Sequence, residues 1–369
     1  MNILRHISRF IVGTVFIFSG TVKAIDPLGS AYKFQDYFQA FGLGFLESMG
    51  LILAIVLCTT EFLAGFAVLF NIRAKTGIWV IMIMMLLFTP LTFILALTNP
   101  VSDCGCFGDA IHLTNWQTFG KNIILFIPVL YLFFTRGKNN SAGSRLRDWS
   151  VLILFALLFI VFISYNLKYL PVIDFLPYSK GTHIPDKLII PEGKPSDKYE
   201  TTFIYQKDGQ NREFTLETYP ADDTTWKFIE QRSVLVSKGY QPPIHDLSFT
   251  SINNEDLTQK ILTSETPVML MIVNKLEKVK PELLRKGFEL GNYCQSNLID
   301  FYVLTSSGSD IVGNYANGLS FCLADEITLK TMVRATPGYI LLQKGTITGK
   351  WSWANLPEAR KIKEMLNNQ

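Results

Sequence analysis

Histidine and cysteine are scarce in this 369-residue chain, with four and five copies. Metal chemistry has little to draw on. The one cluster that joins the two types, Cys104-x-Cys106 followed by His112 after five further residues, does not have a common zinc spacing, so no metal centre is expected. Charge is also thin: Asp, Glu, Lys and Arg make up 18% of the residues and sum to +3. No basic stripe is interleaved with aromatics, and nucleic acid is not an expected partner. No internal repeat or low-complexity tract is present, so function has to be read from single motifs.

What the chain has in excess is apolar sequence: 49% of residues are hydrophobic and 28 are Phe. Nearly all long apolar runs fall in residues 1–167, and the remainder reads as ordinary globular sequence. A bilayer core needs about 20 apolar residues per helix. Five stretches qualify, roughly 7–24, 48–70, 77–98, 119–135 and 150–167. Arg5 and Arg9 before the first run resemble a signal peptide, but no small-residue cleavage site follows, so the run is read as a retained span. One set of connections carries Arg5, Arg9, Arg73, Lys75, Arg136, Lys138, Arg145 and Arg147. The other carries Lys33, with Lys23 and Lys121 at span edges. The expectation is a multi-pass protein of a bacterial inner membrane, with a cytoplasmic N-terminus and everything after the fifth span in the periplasm.

On that reading Cys104, Cys106, Cys294 and Cys322 meet an oxidising compartment. Three pairings are open. Cys104 and Cys106, in "SDCGCFGDAIHLTNW" between Asp103 and Asp109, can bridge each other only because Gly105 accepts backbone angles closed to other residues, and such a small ring is easily reduced. Alternatively each bridges Cys294 or Cys322, which would pin the soluble part to the membrane part. A Cys294–Cys322 bond and two buried, unbridged cysteines both remain open for the distal region.

Within the spans Glu61 stands out in "LCTTEFLAGF". An intramembrane carboxylate is costly and faces a bundle interior, as a functional group or as a partner of Lys23. Cys58 and Gly65 share its helix face. Pro90 and Pro128 lie mid-span and are expected to kink their helices.

The stretch "FSGTVKAIDPLG", followed by "YFQAFG", resembles the DoxX family, and "CTTEFLAGFAVLF", "DCGCFG" and Trp116 resemble its methylamine-utilisation branch, MauE. This resemblance covers residues 1–135 and implies a four-helix membrane bundle linked to maturation of a disulfide-rich periplasmic protein. It implies Cys104 and Cys106 as a redox pair. Glu61 becomes a candidate proton or quinone site and Lys23 a further bundle-interior candidate. A quinone is the candidate cofactor; the expected partners are membrane lipid and a periplasmic thiol or disulfide protein.

After a basic linker at 136–149 and a tethering span at 150–167, "LPVIDFLPYSKGTHIPDKLIIPEGKPSD" reads as an extended linker. Alternation around Asp208-Gly209 then predicts a hairpin, so 168–242 is read as linker plus hairpin. Residues 243–369 alternate strands and helices and resemble an α/β thioredoxin-like domain. "VRATPGYILLQKGTITGKW" would place a cis proline at Thr336-Pro337, a candidate substrate-binding edge. Where that family carries C-x-x-C, after "PVMLMIV", this chain has Asn274, Lys275, Leu276 and Glu277. Two functions remain open: quinone-linked thiol–disulfide exchange at Cys104–Cys106, or a non-enzymatic maturation factor whose thioredoxin-like domain binds a client.

Overall fold

The computed structural model describes residues 2–101, 104–138, 144–196, 198–220, 223–237, 239–315 and 318–367. Asp103 and most of the centre of the basic linker lie outside the described residues.

Among the described residues, five helices are long and apolar enough to cross a membrane. α1 (Asn2–Ile25) ends at Asp26-Pro27, where the Asp26 side chain accepts from the Gly29 amide at 2.8 Å and opens α2 (Pro27–Ala40). A proline in the first turn sacrifices no helical hydrogen bond, so this dipeptide both stops one helix and starts the next. α2 does not span; it packs against α3 (Gly50–Leu69) on the side that carries the cysteine loop, and connection sequence alone gave no sign of it. α4 (Ala74–Thr98) and α5 (Asn115–Phe134) contain Pro90 and Pro128 within their bounds. α5 opens on a reciprocal cap between Thr114 and Gln117. α6 (Arg145–Lys168) is the fifth span and lies against α3 through a stacked Phe62–Phe159 pair and a tilted Phe66–Phe155 pair, with centroids 4.2 and 4.3 Å apart.

Glycine brings α1 and α3 together. A Cβ on Gly20 would stand 2.6 Å from the Cys58 carbonyl oxygen, and one on Gly65 would stand 2.7 Å from the Ile17 nitrogen. Without a hydrophobic drive between helices in lipid, such close backbone approach is what packing has to offer. At the opposite end from the cysteine loop, Arg9 donates to the last carbonyls of α3, Val68 and Leu69, at 2.9 and 3.0 Å. Arg136 there lies over the rings of Phe133 and Trp79.

Beyond α6 the chain does not run free. Tyr178 and Ile184, within the stretch read as a linker, are buried in the same cluster as the α/β core, and α7 (Ile184–Leu188) follows. Lys350 donates to Asp174 and to the Tyr178 carbonyl at 2.5 and 2.9 Å, and Ser352 donates to the Lys168 carbonyl at 2.9 Å. The proline-rich segment is thus a strap on the domain it leads to.

The hairpin forms as expected. β1 (Lys198–Lys207) and β2 (Gln210–Thr215) are antiparallel, and Asp208 and Gly209 both have positive φ, at 53° and 80°. That geometry matches the right-handed strand twist. An unforeseen third strand, β3 (Lys227–Ser237), pairs the other edge of β1, giving the order β2-β1-β3.

The second sheet has the order β4-β7-β6-β5-β8-β9, from β4 (Thr250–Ser251), β5 (Val268–Val273), β6 (Asp300–Thr305), β7 (Ser320–Leu323), β8 (Gly338–Gln343) and β9 (Thr346–Ser352). β5, β6 and β7 are parallel; β8 and β9 form an antiparallel hairpin beside β5. β5 is a continuous apolar run buried at every position, as a strand covered on both faces must be. One face carries α9 (Pro281–Gln295) and α12 (Ala359–Asn367); the other carries α8 (Thr258–Leu262) and α11 (Glu326–Met332), while the short α10 (Ser309–Gly313) precedes β7. This is the thioredoxin-like arrangement, with β4 and β7 extending it beyond β6. Trp351 packs on the α9 face while Trp353 is part-exposed.

Candidate functional site

The cysteine loop lies over the bundle and is held there by side chains from two helices. Tyr37 on α2 donates to the Cys104 carbonyl at 2.6 Å, and Ser19 on α1 donates to the Cys106 carbonyl at 2.9 Å. Gly105 between them has φ +63°, in the region that favours glycine, as the Cys-x-Cys motif suggested. Gly108 also has positive φ, and its amide closes a turn on the Gly105 carbonyl at 3.0 Å. The Cys104 and Cys106 sulfurs stand 3.1 Å apart as thiols.

Cys106 is the stronger acid of the two. A hydrogen bond from Cys104 holds its thiol down at about 6, against the opposing effect of burial and with help from the Lys121 and Lys23 cations. Cys104 is pushed up, by sharing that same hydrogen bond and by burial. A thiolate on Cys106 with a proton on Cys104 is the arrangement a reactive pair needs.

Glu61 lies beside this loop. Its carboxylate accepts from Lys23 Nζ at 2.7 and 3.0 Å and lies 2.9 Å from Ser19 Oγ, whose one proton is shared between this carboxylate and the Cys106 carbonyl, while Lys23 donates to Ser19 at 2.7 Å. Both charged side chains are 7% exposed. Of the two readings of Glu61, ion pairing with Lys23 is therefore realised, and the pair is joined to the Cys106 carbonyl through one hydroxyl. Cys58 turns to α6, against Phe159 and Ile163.

Beneath the loop, α1 to α5 line a cleft of about 120 Å³ that opens at its mouth. Phe16, Leu57, Phe88 and Leu125 line it as apolar walls; Cys104, Cys106, Lys23 and Glu61 line its polar end.

Thr336-Pro337 is a cis peptide, and the Pro337 carbonyl accepts from the Trp353 amide at 3.1 Å. Three residues before this proline, Arg334 reaches the membrane domain. Its Nε donates to Asp26 at 2.7 Å and its Nη2 to Asp109 at 2.8 Å. Burial pushes the Asp26 carboxyl up, against the opposing pull of Arg334. The sequence gives no sign of a role for Arg334 or Tyr37; Asp109 stands out there only as a flank of the cysteine motif, and Ser19 and Asp26 only as members of "FSGTVKAIDPLG".

The positions where a C-x-x-C would sit carry no sulfur. Lys275 donates to the Ser306 carbonyl at 2.9 Å, the Leu276 amide donates to Ser307 Oγ at 2.9 Å, and Ser307 donates to Glu277 at 2.8 Å. Cys294 and Cys322 do not pair: Cys294 packs with Met269 and Phe301 on one face of the sheet, Cys322 with Leu270 and Leu304 on the other. A bridge between either of them and the cysteine loop is absent as well.

Five apolar helices joined to an α/β domain define a multi-pass membrane protein with a thioredoxin-like module. Comparison with known proteins gives the membrane part a relative: residues 1–135 match the family described as methylamine utilisation protein MauE. The membrane part of the chain is thus similar to MauE. Residues 199–238, the three-stranded sheet, match a domain of unknown function, DUF8463. Protein TlpB of Flavobacterium psychrophilum is 29% identical over 144 residues, which is 38% of this chain and 39% of that protein's length. Two solved structures are similar at low level. A thioredoxin-like protein from Aeropyrum pernix has a TM-score of 0.27 and 10% identity over 34% of this chain and 89% of its own. A candidate protein disulfide isomerase from Bacteroides thetaiotaomicron has a TM-score of 0.28 and 14% identity over 33% and 86%.

Proposed function

We propose that this protein is a thiol–disulfide oxidoreductase of the DoxX/MauE type, which takes electrons from a periplasmic thiol protein through Cys104–Cys106 and passes them to a quinone in the bundle, in support of envelope protein maturation. The observation that carries this reading is the position of two sulfurs 3.1 Å apart at the polar end of an apolar, membrane-embedded cleft. Its setting is a bacterial inner membrane with a cytoplasmic N-terminus and a periplasmic α/β domain. The arginines gathered at the bundle end away from the loop support that orientation.

In the first half-reaction the pair is a disulfide. A partner thiolate attacks one sulfur, a mixed disulfide forms, and the partner's second thiol resolves it. The partner leaves as a disulfide, and Cys104 and Cys106 hold the two electrons and two protons. Cys106 then loses its proton readily and Cys104 keeps its own, because one hydrogen bond serves both. Lys23 and Ser19 orient the Cys106 carbonyl, and the Lys23 ammonium favours the thiolate. Glu61 keeps Lys23 in place and offers a carboxylate to carry a proton away. When bound, a quinone supplies the two-electron, two-proton sink that returns the pair to the disulfide. The cleft's apolar walls and cationic, thiol-bearing end fit such a molecule.

The rival function, a maturation factor whose α/β domain captures a client, has less support. Arg334, beside the candidate capture edge, is engaged with the membrane domain.

The test uses full-length protein in lipid nanodiscs with a short-chain ubiquinone and a dithiol donor. Quinone reduction above the uncatalysed background is expected for the native protein and lost in Cys104→Ser and Cys106→Ser. Equal rates in native and serine forms would remove the reading.

A further inference from the structure

The α/β domain has a thioredoxin-like frame without the thiols, yet its cis-proline loop is seated against the cysteine loop. Arg334 makes that contact. Its fork bridges Asp26 and Asp109, residues 308 and 225 positions away in sequence. Its Nη1 donates to the Lys330 carbonyl at 2.5 Å, and its guanidinium lies 5.3 Å from the centre of the Tyr32 ring, which Lys330 Nζ also approaches at 4.7 Å. The Arg334 side chain is 7% exposed, and those of Asp26 and Asp109 are 9% and 17% exposed.

The two carboxylates differ in what else holds them. Asp26 is fixed at the α1–α2 corner, where it caps α2 through the Gly29 amide. Asp109 rides on the cysteine loop, three residues after Cys106. Tyr37 and Ser19 secure the Cys104 and Cys106 carbonyls, and beyond them the Gly108 and Ala110 amides close turns on the Gly105 and Phe107 carbonyls, so that Asp109 sits at the far end of a loop built of turns. Arg334 ties that far end of the loop to the α1–α2 corner. A planar guanidinium serves two carboxylates at fixed angles, which an ammonium does not.

We propose that Arg334 is a positioning residue for the cysteine pair, and that the α/β domain serves as a built-in brace which sets the shape of the cysteine loop through the Asp26–Arg334–Asp109 bridge. This deepens the oxidoreductase reading and rests on it for its purpose. The charged and titratable groups around Cys106 come from every element packed on it. They are Lys23 of α1, Lys33 and Tyr37 of α2, Glu61 of α3, Lys121 of α5, Cys104 and Asp109 of the loop itself, and Arg334 and Lys330 of the α/β domain. The first five act on Cys106 only while the loop lies against them.

The experiment measures alkylation of Cys106 by iodoacetamide, read by mass spectrometry over a pH series, in the reduced full-length protein in nanodiscs. Asp109→Asn is the decisive variant because its two effects have opposite signs. Loss of a nearby negative charge alone lowers the pH midpoint of alkylation. Loss of the brace raises it, because the loop leaves Lys23 and Lys121. The proposal expects the midpoint to rise by at least one pH unit, from about 6 to 7 or higher, with alkylation at neutral pH reduced about twofold or more. Arg334→Gln is expected to match it, the double variant to equal either single one, and Arg334→Lys to fall between. An unchanged or lowered midpoint in Asp109→Asn overturns the proposal, as do fully additive effects in the double variant. Should Arg334→Gln not fold, Asp109→Asn decides alone, since it leaves the Arg334–Asp26 pair intact. Alkylation reads the reduced thiol, so the result stands apart from whether the pair reduces quinone.

Discussion

The chain holds two sets of cysteines in opposite surroundings. In the α/β domain Cys294 and Cys322 are wholly covered by hydrocarbon on opposite faces of one sheet, and burial pushes both thiols up to about 12. In the cysteine loop, burial opposes ionisation too, yet a donor sulfur and two lysines outweigh it and hold Cys106 at about 6. The difference teaches that the fold associated with thiol exchange and the thiols suited to it have parted company here. On the proposed function, reactivity belongs to a loop of two turns on the bundle, while the thioredoxin-like frame keeps its cis proline and carries no sulfur at the C-x-x-C positions.

That contrast can be broken in several ways. The largest effect is expected from Cys106→Ser, which should abolish dithiol-dependent quinone reduction, while Cys294→Ala and Cys322→Ala leave it within about twofold, since buried thiols of high pKa are inert. Equal losses from both sets would end the distinction. Next comes Glu61→Gln. Removing one partner of a buried pair strands the Lys23 charge, and thermal unfolding in nanodiscs should show a loss of about 3 kcal/mol. No comparable loss is expected from Glu230→Gln, whose pair with Arg232 is exposed.

The pH dependence sharpens the contrast further. The reactive species is the thiolate, so Cys106 alkylation should be level above its midpoint near 6 and fall about tenfold for each pH unit below it. Cys294 and Cys322 should react only as the pH nears 12, or on unfolding. The smallest effect belongs to Gly20→Ala. The added methyl meets the α3 backbone, and a destabilisation of about 1–3 kcal/mol is expected by thermal unfolding.

The five spans were legible in the sequence because hydropathy is a local property, and the Asp208-Gly209 hairpin because its two turn residues adjoin. Cys104-Gly105-Cys106 was legible as a motif, and Glu61 as an anomaly in an apolar run. What escaped reading was long-range or half-local. The Asp26–Arg334–Asp109 bridge joins charges that look like ordinary surface residues in their own neighbourhoods, and no periodicity relates them. The segment around Tyr178 and Ile184 was misread because proline and glycine mark an irregular path but not whether that path is covered. The α2 helix escaped because its apolar face is too short to register beside five membrane spans.

The small sheet β2-β1-β3 has a different consequence. β3 lies at its edge, with every residue exposed from Lys227 to Ser237 and with Val234, Leu235 and Val236 in succession. A bare strand of that kind invites a second chain to add itself and propagate into fibres. The Glu230–Arg232 pair, 3.0 Å apart on the exposed strand, acts as a gatekeeper that an incoming strand would have to bury. The guard on that edge is thus two side chains remote from any sulfur.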